Sequence, residues 1–356
     1  MKHRRFAAHG AALALGLLPS CSDDSPSAGH SIAGNGGTAS RPDGAVSDAS
    51  ASGAAPSDAA LADATSNGGP VDLPLSTVSA NGFTFNLRTL GPADGEPVIL
   101  LHGFPETSYE WRYQMVALAR AGYRTIAPDQ RGYSPGARPS VVSDYAVVDL
   151  VADVLAIAAA LGVDRFHVVG HDWGAAVAWG IAAIAPGRVR SLTSMSVPHP
   201  APLAAQIADP KSCQHQASAY FKLFAADASD VSFLSNDAGF LRATYGEATP
   251  DARAEYLRVL DSEPAINAAL NWYRANTSTS GELAAPPVRA ITVPTLLIWG
   301  DKDQFFCRDT IELTKDYVSA PYELEILAGV DHWVPELAAT RVNELLLAHL
   351  RAGDGG

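Results

Sequence analysis

From residue 77 onward, short apolar runs alternate with longer stretches whose apolar residues recur every three or four positions. Val78 and the alternating Phe83–Leu87 flank Asn81-Gly82, which predicts a hairpin. Pro97–Leu101, Arg124–Ala127, Phe166–Val169, Val189–Val197, Thr295–Trp299 and Tyr322–Leu327 are predicted as buried strands. Between them, Tyr109–Ala121, Asp144–Leu161, Ala175–Ala185 and Glu336–Leu350 carry helical spacing. Gly122 and Gly162 stand where a C-terminal glycine commonly closes a helix. Strands alternating with helices imply an α/β fold with a mostly parallel sheet flanked by helices. The alternation stops between Pro198 and Pro287, where helical stretches run without a strand. That break predicts a helical lid over 199–287, inserted in a core made of 77–198 and 288–352.

Before residue 77 the pattern vanishes. Residues 22–76 are rich in Ala, Ser, Gly and Asp, which bury too little surface to offset chain entropy. They read as a flexible linker. Residues 1–21 read as a signal peptide: Lys2, Arg4 and Arg5 precede a short apolar stretch, Ala7–Leu18. Leu17-Leu18-Pro19-Ser20-Cys21 resembles a bacterial lipobox, apart from Pro19. The expectation is an exported protein, anchored through a lipidated Cys21 or else periplasmic or secreted. A formal charge of −13 argues against a nucleic-acid partner, since phosphate selects basic surfaces. Cys213 and Cys307 show no C-x-x-C pairing; they could pair in an oxidising compartment, but the expectation is two free structural thiols.

The densest chemical signal is Gly170-His171-Asp172-Trp173-Gly174, between a predicted strand and a small-residue helix. This is the layout of a nucleophile elbow, which usually carries Ser. An Asp changes the chemistry. A carboxylate attacking an ester would give a reactive anhydride, whereas attack on a tetrahedral carbon gives a stable alkyl ester. The target is therefore an sp³ carbon bearing a leaving group.

Several further motifs stand in a fixed order: His102-Gly103-Phe104-Pro105-Glu106, Trp111-Arg112-Tyr113-Gln114, Asp129-Gln130-Arg131-Gly132-Tyr133, Asn271-Trp272-Tyr273-Arg274 and Asp331-His332-Trp333. With the Asp elbow, they resemble the epoxide hydrolase family of the α/β-hydrolase fold over residues 77–350. In that fold an acid and then a His follow the nucleophile. The resemblance assigns Asp303 as the acid, with Asp301 as a turn residue, and His332 as the base. It implies an oxyanion hole from the N–H groups of Phe104 and Trp173, a cis peptide before Pro105, and a pocket touching His102, Pro105 and Trp333. Two lid tyrosines should protonate the leaving oxygen. Tyr273 matches one; Tyr220 is the choice for the other, with Tyr245 as the alternative. No metal and no cofactor are implied, and the partner is a small-molecule epoxide. Two other readings are a haloalkane or haloacid dehalogenase and a non-catalytic surface binding protein. Phe104 and Trp173 argue against the first, because many dehalogenases have Asn at the former and fluoroacetate-type enzymes have Arg at the latter. The intact catalytic set argues against the second.

Overall fold

The computed structural model describes residues 73–245, 248–278, 281, 283 and 290–353. The signal-peptide and Cys21 expectations, and the linker up to residue 72, lie outside the described residues. The described residues include four before the expected start at Thr77. Leu73 is buried in the core and its carbonyl accepts a hydrogen bond from the Arg88 guanidinium. Two lone leucines, Leu73 and Leu75, are too little apolar signal to separate from a linker.

Eight strands form one sheet in the order β1-β2-β4-β3-β5-β6-β7-β8. These are β1 Leu75–Ala80, β2 Phe83–Leu90, β3 Pro97–Leu101, β4 Arg124–Pro128, β5 Phe166–His171, β6 Val189–Met195, β7 Thr295–Gly300 and β8 Tyr322–Leu327. β1 and β2 are the predicted hairpin, with Val78 opposite Phe85, and β2 is antiparallel to β4. Every other pairing is parallel. Side chains of alternate strand residues point to opposite faces. In β3, Ile99 and Leu101 enter one core cluster and Val98 and Leu100 the other. In β7, Leu297 and Trp299 divide from Leu296 and Ile298 in the same way.

Helices cover both faces. α1 (Arg112–Arg120) and α12 (Ala339–Gly353) bury Met115, Val116, Leu345 and Leu346 on one side. α2 (Val147–Ala160) and α3 (Trp173–Ile184) bury Leu150, Val154, Val177 and Ile181 on the other. Three predicted helices are shorter or split. Ser108–Trp111 and Val142–Tyr145 are 3-10 turns preceding α1 and α2, and α11 (Val334–Leu337) precedes α12. Extended backbone at Ala146 causes the second break, which residue spacing alone does not reveal.

The lid comprises α4 (Pro200–Ala208), α5 (Cys213–Ala217), α6 (Tyr220–Phe224), α7 (Ser229–Thr244), α8 (Pro250–Leu260) and α9 (Glu263–Asn276), and the short α10 (Arg308–Glu312) follows β7 in the core. α7 is kinked where Asn236, Asp237 and Ala238 take positive φ. The lid is stitched to the core by buried polar contacts. Trp272 Nε1 donates to the Arg131 carbonyl at 2.8 Å, and Asn276 Nδ2 to the Tyr145 carbonyl at 2.8 Å. Glu336 joins Arg112 and accepts from the Tyr256 hydroxyl at 2.7 Å. One expectation is corrected here. Cys213 and Cys307 are not free thiols but a disulfide, with Cα atoms 6.2 Å apart. They are 94 residues apart in the chain, and only the folding back of the lid over β7's loop brings them together.

Candidate active site

Asp172 follows β5 directly, at φ 48° and ψ −124°, and α3 starts at the next residue. Such a backbone is strained for a residue with a side chain. The glycines on either side make it possible. A side chain at Gly170 would run into the Gly174 backbone, and one at Gly174 into the Leu101 carbonyl. The turn is therefore pressed against β3. The Asp172 carbonyl is used by the N–H groups of Ala175 and Ala176, at 2.9 and 3.2 Å.

The Asp172 carboxylate faces two partners. Phe104 N–H donates to Oδ1 at 2.9 Å, from the loop after β3, and His332 Nε2 lies 3.5 Å from Oδ2. The Phe104–Pro105 peptide is cis. Burial alone would raise the Asp172 pKa. The hydrogen bond and charge of His332, the charge of His171 and the Phe104 N–H outweigh burial and hold it below the ordinary carboxylate range.

His332 Nδ1 lies 2.9 Å from Asp303 Oδ2. The other oxygen of Asp303 accepts the N–H groups of Phe305 and Phe306 at 2.7 and 3.1 Å. Burial would lower the His332 pKa, but Asp303 and Asp172 reverse that and raise it to about 9, with His171 opposing them. Asp301 instead accepts Gly329 N–H at 2.7 Å and ties two loops together. Asp172, Asp303 and His332 thus meet from the ends of β5, β7 and β8.

Tyr220 and Tyr273 come from the lid, on α6 and α9, with ring centroids 6.2 Å apart. Tyr273 packs edge-on against Phe104 and Trp173, at 5.4 and 5.1 Å. Burial pushes both phenols well above their ordinary value, and the charge of Asp172 pushes the same way. A hydrogen bond from the Trp173 side chain partly offsets this for Tyr273. Both phenols therefore keep their protons. Tyr245, the alternative, is committed elsewhere: its hydroxyl donates to the Pro105 carbonyl at 3.0 Å.

The remaining motif residues take varied places. His102 is buried with Nδ1 at 2.9 Å from the Gly103 carbonyl, and its Nε2 accepts Gln130 N–H at 3.1 Å. Burial lowers its pKa, which fits a neutral ring accepting at Nε2. Trp333 is half-buried, with its ring 5.1 Å from that of His332. The hydrogen bond from Phe104 is the backbone contact seen at the Asp172 carboxylate. One cluster is not foreseen by sequence reasoning. Glu106 and Glu110 flank the buried His171 directly behind Asp172. The signal was present, as two acids four residues apart after a Gly-Phe-Pro turn, but their common partner is at the end of β5, far along the chain.

Known proteins show the same arrangement of sequence. A profile of the alpha/beta hydrolase fold matches residues 96–339. Epoxide hydrolase 4 of Homo sapiens is 30% identical over 288 residues, covering 77% of this chain and 77% of that protein. The chain belongs to the epoxide hydrolase family of α/β hydrolases. An AB hydrolase superfamily protein of Bacillus subtilis is 33% identical over 282 residues, covering 77% of this chain and 96% of its own length. Among solved structures, an epoxide hydrolase of Bacillus megaterium, determined in complex with its product (R)-3-[1]naphthyloxy-propane-1,2-diol, superposes with a TM-score of 0.71. It is 26% identical, covering 78% of this chain and 100% of that one. The Asn271-Trp272-Tyr273-Arg274 run divides its labour. Trp272 fastens the lid to the core, Tyr273 faces the site, and Arg274 bonds to Asn267 and Asn271 at 3.0 and 2.8 Å.

Proposed function

We propose that this protein hydrolyses an epoxide to a vicinal diol through an alkyl ester on Asp172. The carrying observation is an ionised carboxylate held between Phe104 N–H and His332, in a site that also draws two protonated lid phenols. In the first step an Asp172 oxygen attacks a ring carbon and the C–O ring bond breaks. The departing oxygen takes a proton from Tyr220 or Tyr273, leaving a hydroxyalkyl ester and a phenolate. In the second, water gives a proton to His332 while its oxygen attacks the Asp172 carbonyl carbon. Asp303 orients the imidazole and balances its charge. The tetrahedral oxyanion falls within reach of Phe104 N–H, with Trp173 N–H as its proposed second donor; losing one such donor typically costs about 10²–10³ in rate. Collapse breaks the bond to the diol oxygen. The two protons now held by His332 and the new carboxyl go to that oxygen and to the phenolate.

The tyrosines support an epoxide over a halide. A halide leaves as a stable anion, whereas an epoxide oxygen leaves as a strongly basic alkoxide and needs an acid. The solved relative bound to an aryloxy propanediol supports the same product class. Reaction in ¹⁸O-water tests the route, because the water oxygen must enter Asp172. Mass spectrometry of the peptide containing Asp172 should find label after several turnovers, and an unlabelled peptide from an active enzyme rules the ester out.

We also propose export with lipidation at Cys21. The Cys213–Cys307 disulfide supports an oxidising compartment. Globomycin should block processing, and a mature protein carrying an unmodified Cys21 would overturn the anchor.

A further inference from the structure

One lid side chain reaches into the core half of the site. α5 is only 5 residues long, and its Cys213, His215 and Gln216 are exposed. Gln214 alone on that helix is fully buried. Its Nε2 donates to the Phe305 carbonyl at 2.7 Å and to Ser218 Oγ at 2.9 Å, and its Oε1 accepts Cys307 N–H at 3.0 Å. A carbonyl can only accept and an N–H can only donate, so the side-chain amide is fixed in this orientation. Neither a carboxylate nor an apolar side chain can serve both ends. We propose that Gln214 is a positioning residue for Asp303, through which the lid holds the 304–307 strap that aims the acid at the His332 base.

Two side chains grip this strap. Asp303 Oδ1 accepts Phe305 and Phe306 N–H at 2.7 and 3.1 Å, while Gln214 takes the Phe305 carbonyl and Cys307 N–H. Phe305 is therefore held at both its N–H and its carbonyl. Its ring lies 4.8 Å from that of His332 and 5.2 Å from that of Tyr220, and the Phe306 ring stacks on His332 at 5.9 Å. With Oδ1 engaged by N–H groups, Asp303 Oδ2 is left facing His332 Nδ1, 2.9 Å away. Without Gln214 the Phe305 carbonyl and Cys307 N–H lose their partner. The strap is then free to shift and to turn the carboxylate away from the base.

The neighbouring disulfide joins the same two segments, but it limits only how far apart they lie. Gln214 fixes the orientation of two peptide groups, which a covalent link at one side chain does not. The orientation matters most in the second step, where Asp303 steadies the imidazole that takes a proton from water. Alkylation uses Asp172 and the phenols, so it depends less on the strap. This kinetic part rests on the ester route proposed above; the hold on Asp303 does not.

The test is made on the whole protein with Gln214→Met and Gln214→Glu. The His332 Nδ1–H proton, assigned in NMR spectra with His332→Gln, should stand downfield in wild type and move upfield or broaden in Gln214→Met. An unchanged signal in a folded variant overturns the proposal, and this reading needs no substrate. In single turnover with styrene oxide, Gln214→Met should slow ester hydrolysis by about tenfold, the worth of one to two lost hydrogen bonds, and slow alkylation less. Wild-type hydrolysis, or an equal loss in both steps, overturns the positioning role. Gln214→Glu covers the case in which Gln214→Met does not fold. A protonated Glu keeps one donor and one acceptor, whereas an ionised one opposes the Phe305 carbonyl. The residues bordering the contact are engaged elsewhere: His215 with the Ile207 carbonyl, Arg308 with Glu312 and Asp303 with His332, while Tyr220 keeps its proton. Hydrolysis by Gln214→Glu, taken relative to wild type at the same pH, should therefore fall as pH rises between about 5 and 9. A ratio independent of pH overturns the proposal. If Asp172 takes up no ¹⁸O while the His332 signal still responds to Gln214, the ester route fails and the hold on Asp303 stands.

Discussion

The core half of the site is built from charges at strand ends. Asp172, Asp303 and His332 follow β5, β7 and β8, and their acidic oxygens are met by Phe104, Phe305 and Phe306 N–H groups and by the imidazole. The lid half brings two neutral phenols instead of charges. Tyr220 and Tyr273 sit in a mesh of rings that includes Phe104, Phe221, Phe224 and Phe305, with centroids 4.7 to 6.2 Å from their own. Backbone N–H groups fix the Asp172 and Asp303 carboxylates directly. Ring packing fixes the phenols more loosely, and each edge-to-face pair adds only about 0.5–1.5 kcal/mol beyond area burial. A disulfide between α5 and the loop after Asp303 supplies the missing constraint. Gln214 reinforces it, donating to the Phe305 carbonyl at 2.7 Å and accepting Cys307 N–H at 3.0 Å.

If the halves serve separate steps, they should fail separately. His332→Gln should leave alkylation largely intact and slow ester hydrolysis by about 10²–10⁴-fold. Intact-protein mass spectrometry should then find the epoxide adduct accumulating; full-speed hydrolysis would break the division. The Tyr220→Phe, Tyr273→Phe double variant should do the reverse, lowering the alkylation rate by about 10²–10⁴-fold while ester hydrolysis changes little. Each single variant should lose less, because the other phenol remains; rapid-quench kinetics of ester formation checks this. Opening the disulfide with Cys213→Ser should weaken the lid half alone. A disulfide typically stabilises a fold by about 2–4 kcal/mol, so the thermal midpoint should drop by roughly 4–16 °C. Alkylation should fall more than hydrolysis, and equal losses would show that the clamp serves both halves.

The smallest effect concerns pH. His332 is raised to about 9 in the folded chain, above its ordinary value of 6.5. A raised group stabilises the fold fully below its unfolded pKa and loses that contribution as pH rises through the folded one. Wild type should therefore lose stability relative to His332→Gln between pH 6.5 and about 9, as followed by thermal midpoints. A constant difference across that window would mean that the Asp303 and Asp172 contacts do not favour the charged ring.

Much of this was legible without coordinates. Apolar runs marked the strands from β2 to β8, and helical spacing marked the regions of α1, α2, α3 and α12, because burial on both faces of a parallel sheet demands them. The Gly-x-Asp-x-Gly turn marked Asp172, since a strained turn pressed on β3 excludes side chains at Gly170 and Gly174. These are local demands, met by residues close together in the chain. The tertiary structure alone decided the long-range matters. It paired Cys213 with Cys307 across 94 residues, against the expectation of free thiols. It took Tyr245 out of contention by giving its hydroxyl to Pro105. It set His171 between Glu106 and Glu110 and against the His332 carbonyl. Partnership between side chains on different strands and loops depends on sheet order and lid docking, and neither leaves a periodic trace in the sequence.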